Sequence, residues 1–361
     1  MRIQIHPRLI VSNGPDHKFS LVRGIRLLTE IQQVGNLALA TRNLGMSYRS
    51  AWGLLQALDV ELGGAVVIMT KGKGSELTHL GERLVWAQKL IHARFDPLLE
   101  SMATEVEAEI RQAVLKSRQG LKMFASHGFA VAALIQNLLH QDPPIELSYR
   151  GSLEAVGALT RGSCDIAGFH IPVGVLEQPV FAHFVHLLQP NYRLIHLATR
   201  RQGIMVAKGN PAAIWTISDL LRPELTFVNR QLGSGTRLIL DLLLASHNVQ
   251  SAGIRGFENV ELTHAAVAAY IASGKADAGL GVEAAAREFG LDFVPLLSER
   301  YFFLCDADIL RHAQFAPIVA LLQTNEFKSR INALPGYGAE QTGMIMTIKE
   351  AFAFAGTSQP D

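Results

Sequence analysis

The chain has 361 residues, 48% of them hydrophobic and 18% charged, with a formal net charge of +1. This excludes a disordered chain and points to two or three domains with real cores. Residues 1–94 carry 12 Lys and Arg against 6 Asp and Glu, while the rest carries 21 against 26, so a basic module precedes a mildly acidic one.

Residues 2–12 and 17–22 alternate apolar and polar positions around SNGPD and read as a small hairpin. The start, MRIQIHPRLI, has no apolar h-region or small-residue cleavage site, so a cytoplasmic protein is expected. No run of about 18 apolar residues occurs, so no membrane span is expected. Leu21, Ile25, Leu28, Ile31 and Val34 recur at helical spacing over 20–34, and a short helix fits 36–44. Ser47 suits the N-cap of a third helix reaching about residue 60. GGAVVIMTKGKGSELT then gives two short strands around a Gly/Lys turn. From Thr78 to about Lys116 the pattern is helical, and Pro97 is expected to kink it or split it in two.

From residue 119 strands and helices alternate. GLKMFAS, IELSYRG, CDIAGFH, LTFVNRQ and ADAGLG read as strands; 127–140, 152–161, the run after Thr236 and 263–274 read as helices. The rhythm predicts a parallel α/β architecture with a border near 117–120. Cys164 and Cys305 lie far apart without metal or CxxC spacing and read as buried thiols.

Helix, short helix, turn, helix and hairpin make the layout of a winged helix-turn-helix, whose third helix enters the major groove while the wing touches phosphate. Ser47, Tyr48, Arg49 and Ser50 stand at the start of that helix, where base edges would be met, and Arg42 precedes them. Trp52, Leu54, Leu55 and Leu58 are expected to form its buried side. Lys71 and Lys73, flanked by Gly72 and Gly74, suit a wing whose backbone approaches phosphates. On topology alone a helical adaptor with a solvated basic face stays open. Gly35-Asn36, LGMSYRSAW, the Gly/Lys wing and LTHLGERL resemble the N-terminal domain of the molybdate-responsive ModE regulators, over roughly residues 5–95. That domain is a more distant relative of LysR-type domains. The resemblance implies a homodimer on a palindromic double-stranded DNA operator, with the long helix after the wing pairing the subunits. Leu84, Val85, Leu90, Ile91, Leu98, Leu99 and Met102 are compatible with such pairing.

Beyond this module the sequence departs from ModE proteins, which continue into small β-barrel oxyanion domains. ASHGF (125–129), YRGSLEAVGALTRGSCDIAGFHIP (149–172), NRQLGSGTR (229–237), THAAVAAYIASGKADAGLG (263–281) and PGYG (335–338) resemble a two-lobed, type II periplasmic-binding-protein-like domain. The expected organisation is therefore a DNA-binding domain at 1–78, a linker and dimerisation helix at 79–117, and an effector domain at 118–361. Lobe I would take about 118–195 and 303–361, and lobe II about 196–302.

In such a clamp, each strand ends at the cleft and the next helix starts there, aiming its N–H groups at a ligand. Ser126, His127, Gly151, Ser152, Ser234, Thr236, Thr263 and His264 occupy such junctions, with Gly233 and Gly235 shaping the turn. His170, Arg230 and Arg237 complete the candidate effector contacts. Taken singly, the Ser and Thr residues are equally ordinary N-caps, and Arg237 could either neutralise an anion or pin its loop. Other chemistries fit less well. LGSGTR lacks the Lys-Ser/Thr pair of a phosphate-binding P-loop, no GxGxxG follows the first α/β strand, and no GxSxG elbow occurs. HFVH at 183–186 has no HExxH or carboxylate cluster beside it, so no metal site, catalytic residue or resident cofactor is expected.

The sequence thus reads as a one-component bacterial transcription regulator, not an enzyme, that binds DNA and senses a small anion. The kinship of both modules implies molybdenum-related genes and an effector such as molybdate, tungstate, a molybdopterin-type compound or a formate-like carboxylate. A molybdenum-cofactor-handling enzyme and a ligand-carrying adaptor are the alternatives.

Overall fold

The computed structural model describes residues 3–12, 17–70, 74–115, 120–138, 145–352 and 354. The chain divides into two compact units, His6–Asp96 and essentially all that follows Pro97. The division falls within a helix, whereas the expected borders lie at 78/79 and 117/118.

The first unit runs β1 (Ile10–Ser12), β2 (Lys18–Ser20), α1 (Val22–Val34), α2 (Leu37–Asn43), α3 (Tyr48–Leu62), β3 (Val67–Thr70), β4 (Gly74–Leu77) and the start of α4 (His79–Leu115). β1 pairs with β2 and β3 with β4, both antiparallel. Local chemistry sets the helix ends. Asn36 Oδ1 accepts from Leu39 N–H at 3.0 Å, and Ser47 Oγ accepts from Ser50 N–H at 3.1 Å. Gly35 and Gly63 close α1 and α3 in the left-handed conformation. Ile25, Leu28, Ile31, Leu37, Leu55 and Leu58 fill the core. Gly74 has φ +103°, and a Cβ there would lie 2.3 Å from the Gly35 carbonyl oxygen. That oxygen accepts from Ser75 N–H at 2.9 Å, and Ser75 Oγ accepts from Leu37 N–H at 3.2 Å. The hairpin is thereby tied to the corner between α1 and α2.

One expectation fails here, and one of two alternatives is removed. Trp52 is 42% exposed, not buried: Ala51, Leu55 and Leu58 form the inner stripe of α3, and Trp52 falls beside Tyr48 on its outer face. Nor is α4 split: it continues through Pro97. Beyond the proline, tertiary bonds hold it helical. Thr104 Oγ1 donates to the Leu147 carbonyl at 2.6 Å, and Ser101 Oγ accepts from Tyr149 N–H at 2.9 Å. Those partners lie on the edge strand of the second unit's sheet, whose free backbone groups α4 thereby covers.

In the second unit follow β5 (Lys122–Ala125), α5 (Phe129–Asn137), β6 (Glu146–Tyr149), α6 (Ser152–Thr160), β7 (Ile166–Pro172), α7 (Glu177–Phe181) and β8 (Tyr192–Val206). Next come β9 (Phe227–Arg230), α8 (Gly235–Ser246), β10 (Val260–Glu261), α9 (His264–Ala272), β11 (Ala278–Val282), α10 (Glu283–Glu288) and β12 (Asp292–Asp306). α11 (Ala316–Gln323), α12 (Asn325–Asn332), β13 (Tyr337–Gly338) and β14 (Ile345–Met346) complete it. The strand order is β10-β9-β11-β8-β12-β7-β5-β6, with β13 and β14 also on β8.

The sheet is mixed, which corrects the expectation of a parallel one. β5–β6, β5–β7, β9–β10 and β9–β11 are parallel, but β8 and β12 run antiparallel to their neighbours. These two 15-residue strands link the two parallel sets of the sheet, β5–β6–β7 and β9–β10–β11. β8 pairs with β14 and β13 as far as Arg200 and with β11 from Gln202 onward, while β12 meets β7 only from Glu299. β8 and β12 thus change partners at Arg200–Gln202 and at Glu299. A strand long enough to serve both halves belongs to neither.

Candidate functional site

Both crossover strands carry polar side chains at the changeover point, inside an otherwise apolar sheet. Arg200 Nε donates to Glu299 Oε2 at 2.8 Å, and the two side chains are 5% and 0% exposed. They sit directly opposite each other in the β8–β12 register. The fully buried Gln202 turns its NH2 to the Glu299 carboxylate and its oxygen to the Thr236 hydroxyl, 3.3 Å away. Tyr301 pairs with His170 across β12 and β7, with ring centroids 4.1 Å apart. Arg200, Gln202, Glu299 and Tyr301 form a buried polar cluster at the centre of the sheet.

The walls of the candidate cleft are strand-to-helix junctions. Ser126 and His127 follow β5; Ser126 Oγ lies 3.3 Å from His170 Nδ1, and His127 packs edge-on against Tyr149. Gly151 and Ser152 open α6, Gly233–Thr236 open α8, and Thr263 and His264 open α9. The junctions of α6 and α8 face each other across the seam. A Cβ on Gly151 would stand 2.9 Å from the Gly233 carbonyl oxygen, and one on Gly235 would stand 3.7 Å from Ser152 Oγ. Four helix starts thus converge from both lobes.

The hydroxyls separate into two groups. Ser234 Oγ accepts from Arg237 N–H at 3.2 Å and Thr263 Oγ1 from Ala266 N–H at 2.9 Å; both are working N-caps. Ser126 caps nothing, because Gly128 holds the cap position of α5. Ser152 is the first residue of α6, 3% exposed, and its Oγ has no hydrogen-bond partner. His264 Nδ1 is likewise buried without one. Buried polar atoms left unpaired in this way are costly and commonly mark a site that something else completes.

Charge gives the cleft its character. Arg230, at the end of β9, is 9% exposed; its guanidinium donates to the Leu262 carbonyl at 2.8 Å and to Gln231 Oε1 at 3.2 Å. It makes no ion pair with a carboxylate among the described residues. Burial, then the neighbouring Arg200, lower its pKa to about 9 against the pull of Glu299, so it stays cationic at neutral pH. Burial and Arg230 hold His127 down at about 4. Burial lowers His170 and His264 well below the ordinary histidine value, with both arginines adding to the effect. Two buried guanidiniums, Arg200 and Arg230, and three imidazoles held neutral by burial therefore stand close together, and of the two cations only Arg200 is ion-paired among the described residues.

Arg237 is placed as a pin. Its Nε donates to Asp241 at 2.9 Å and 3.1 Å, and its guanidinium lies 4.4 Å over the Phe257 ring. The sequence reading missed Arg200, Gln202, Glu299 and Tyr301, because it assigned neither β8 nor β12. The signal was present: RRQ and SER interrupt strand-like apolar runs, and a charged pair in a two-face-buried strand is rarely idle. His183 and His186 are both exposed, and no cluster of three or more potential metal ligands occurs among the described residues.

In the first unit, Arg42, Ser47, Tyr48, Arg49 and Ser50 are all exposed. Ser47 and Ser50 hydroxyls bond to each other at 2.8 Å, which leaves Arg42, Tyr48, Arg49 and the outer ring of Trp52 presented to solvent. Lys71 and Lys73 lie outside the described residues. No helix among the described residues is long and apolar enough to cross a membrane.

The profile of the PBP superfamily domain matches residues 136–323. The Bacillus subtilis protein YvgK is 30% identical over 249 residues, covering 67% of this chain and 76% of its own length. The molybdenum-pterin-binding protein MopB of Rhodobacter capsulatus is 30% identical over 116 residues, 30% of this chain and 43% of MopB. The HTH-type transcriptional regulator YeiE of Escherichia coli K12 is 24% identical over 233 residues, 63% of this chain and 70% of YeiE.

Proposed function

The chain belongs to the PBP superfamily, and from that premise we propose that it is a one-component transcription regulator whose two-lobed unit senses a small anion. The buried Arg230 guanidinium, without a carboxylate partner between converging helix starts, carries the reading. A bound anion would give Arg230 a counter-charge and complete the orphaned Ser152 hydroxyl. Its contacts come from both lobes, so it favours whichever arrangement brings the seam together; that differential affinity is the source of the signal.

The first unit acts as a winged helix-turn-helix. Tyr48, Arg49 and Arg42, at the exposed start of α3 and just before it, meet the major groove, and Lys71 and Lys73 meet phosphate from the wing. The likeness to YeiE supports DNA as the partner, with a homodimer on a palindromic operator as the working arrangement. The partial likeness to MopB supports a link to molybdenum-related genes.

The test removes the Arg230 charge. Full-length protein and Arg230→Met are compared by thermal shift against molybdate, tungstate, sulfate, formate and larger carboxylates. An anion at 100 times its Kd adds about 2.7 kcal/mol of stability to the native protein. The variant should lose that response while folding normally. Identical responses from both proteins would remove Arg230 from the site, and the absence of any response at millimolar concentrations would end the anion reading.

A further inference from the structure

A cavity of about 190 Å³ opens at the seam where α6 meets α8. Ser152, His170, Ser234 and Gly235 line its polar side, so it opens at the facing junctions of α6 and α8 described above. Leu153, Val180, Phe184, Leu232, Leu238 and Ile239 give it an apolar wall, with His183 at its edge. Arg237 and Asp241 also reach it, but they neutralise each other and add no net charge.

Resting on the anion-sensing reading, we propose that the effector is an organic anion, its anionic head at the Ser152–Ser234 seam and its apolar body against Leu153, Val180, Phe184 and Leu238. Two observations carry this beyond a bare oxyanion. The volume equals roughly six water molecules at about 30 Å³ each, more room than a compact tetrahedral ion needs. Such an ion is also polar on every side, and oxygen atoms turned to the leucine and phenylalanine walls would be desolvated without a partner. An alkyl or aryl group removes that mismatch and buries its own surface. The orphaned Ser152 Oγ and the start of α6 sit at the polar end, where the head would receive a hydroxyl and backbone N–H groups. The buried Arg230 guanidinium, near His170 and without an ion pair among the described residues, suits a head with a negative charge, which a carboxylate carries at neutral pH.

The experiment is a binding series on the full-length chain, read by calorimetry. Formate, acetate, butyrate, hexanoate and benzoate form the main arm; molybdate and sulfate form the oxyanion arm. Phenyl phosphate tests the alternative head, and hexanamide and benzamide remove the charge. Affinity should rise roughly fourfold per methylene until the cavity is filled, with the amides at least a hundredfold weaker than the matching acids. Leu153→Asn should weaken hexanoate about tenfold or more and leave acetate unchanged. The exposed Leu232→Ser provides the same comparison if the first variant does not fold. Tighter binding of phenyl phosphate than of benzoate would assign the head to phosphate within the same class. Molybdate or formate binding as tightly as any member, with no gain along the series, would overturn the organic body and leave anion sensing standing. Amides binding as tightly as acids, or no binding in any arm, would overturn both.

Discussion

Arg49 and Arg230 both lack a carboxylate partner among the described residues, yet they stand in opposite surroundings. Arg49 is exposed at the start of α3, next to Tyr48 and close to Arg42. Water solvates it, so it costs the fold nothing and is free to meet any polyanion that arrives. Arg230 is buried at the end of β9, beside a second guanidinium and one carboxylate that is already paired. Its charge costs stability unless a ligand of the right shape supplies the counter-charge. An exposed cation thus favours long, screened, repetitive partners, whereas a buried one selects a small, specific one. One chain carries both kinds, in separate units.

The largest effect should come from the paired half of the buried set. Glu299→Gln would leave Arg200 as an uncompensated cation and should destabilise the second unit by about 3–5 kcal/mol in urea unfolding. A cost below about 1 kcal/mol, the range of an exposed pair, would break the contrast between the units.

Acid should act next. His127 and His196 have folded pKa values near 4, against the ordinary 6.5 of an unfolded histidine. Burial comes first for both, with Arg230 and Arg300 adding to it. Between those values the unfolded chain binds protons that the folded chain does not. Stability from these groups is therefore complete above about pH 6.5 and is lost as pH falls toward 4, with a slope of up to about 1.4 kcal/mol per pH unit for each histidine. His170 and His264 extend the loss further down. Urea midpoints between pH 7.5 and 4 measure it, and a flat profile would show that water reaches the cleft.

Arg49→Ala should cost about 1–3 kcal/mol of operator affinity and relax specificity at one base pair, or lower the salt slope by about 1 if it meets phosphate. Gel shifts across a salt series distinguish the two outcomes; an unchanged affinity would remove α3 from the interface. The smallest effect sharpens the comparison inside the cleft. Ser234→Ala removes an N-cap and should cost about 1 kcal/mol of unliganded stability. Ser152→Ala removes a hydroxyl that caps nothing, so it should leave unliganded stability intact or raised and lower ligand affinity. Equal costs in unfolding would make Ser152 an ordinary structural serine.

Much of the local structure was legible because its causes are local. Asn36 and Ser47 cap the helices they precede, and Gly35 and Gly63 end the helices they follow. Ser234 and Thr263 do the same at the cleft. Trp52 was misread because a large aromatic ring on an otherwise apolar helix looks like core, while the spacing of Ala51, Leu55 and Leu58 already filled the inner stripe. A split at Pro97 stayed open beside a kink because the bonds holding the helix beyond it come from Leu147 and Tyr149, more than forty residues away.

The sequence by itself determined which residues start and end helices, the alternation of strand and helix beyond residue 119, and the junctions where hydroxyls and glycines gather. Those properties depend on neighbours within a few positions. Only the tertiary structure decided that β8 and β12 cross both lobes and that Arg200 meets Glu299 across 99 residues of chain. Only it decided that, among the described residues, Ser152 is orphaned, Arg237 occupied and Arg230 without an ion pair to a carboxylate. Charge compensation is a matter of distance in space and access to water, and neither is written in sequence spacing.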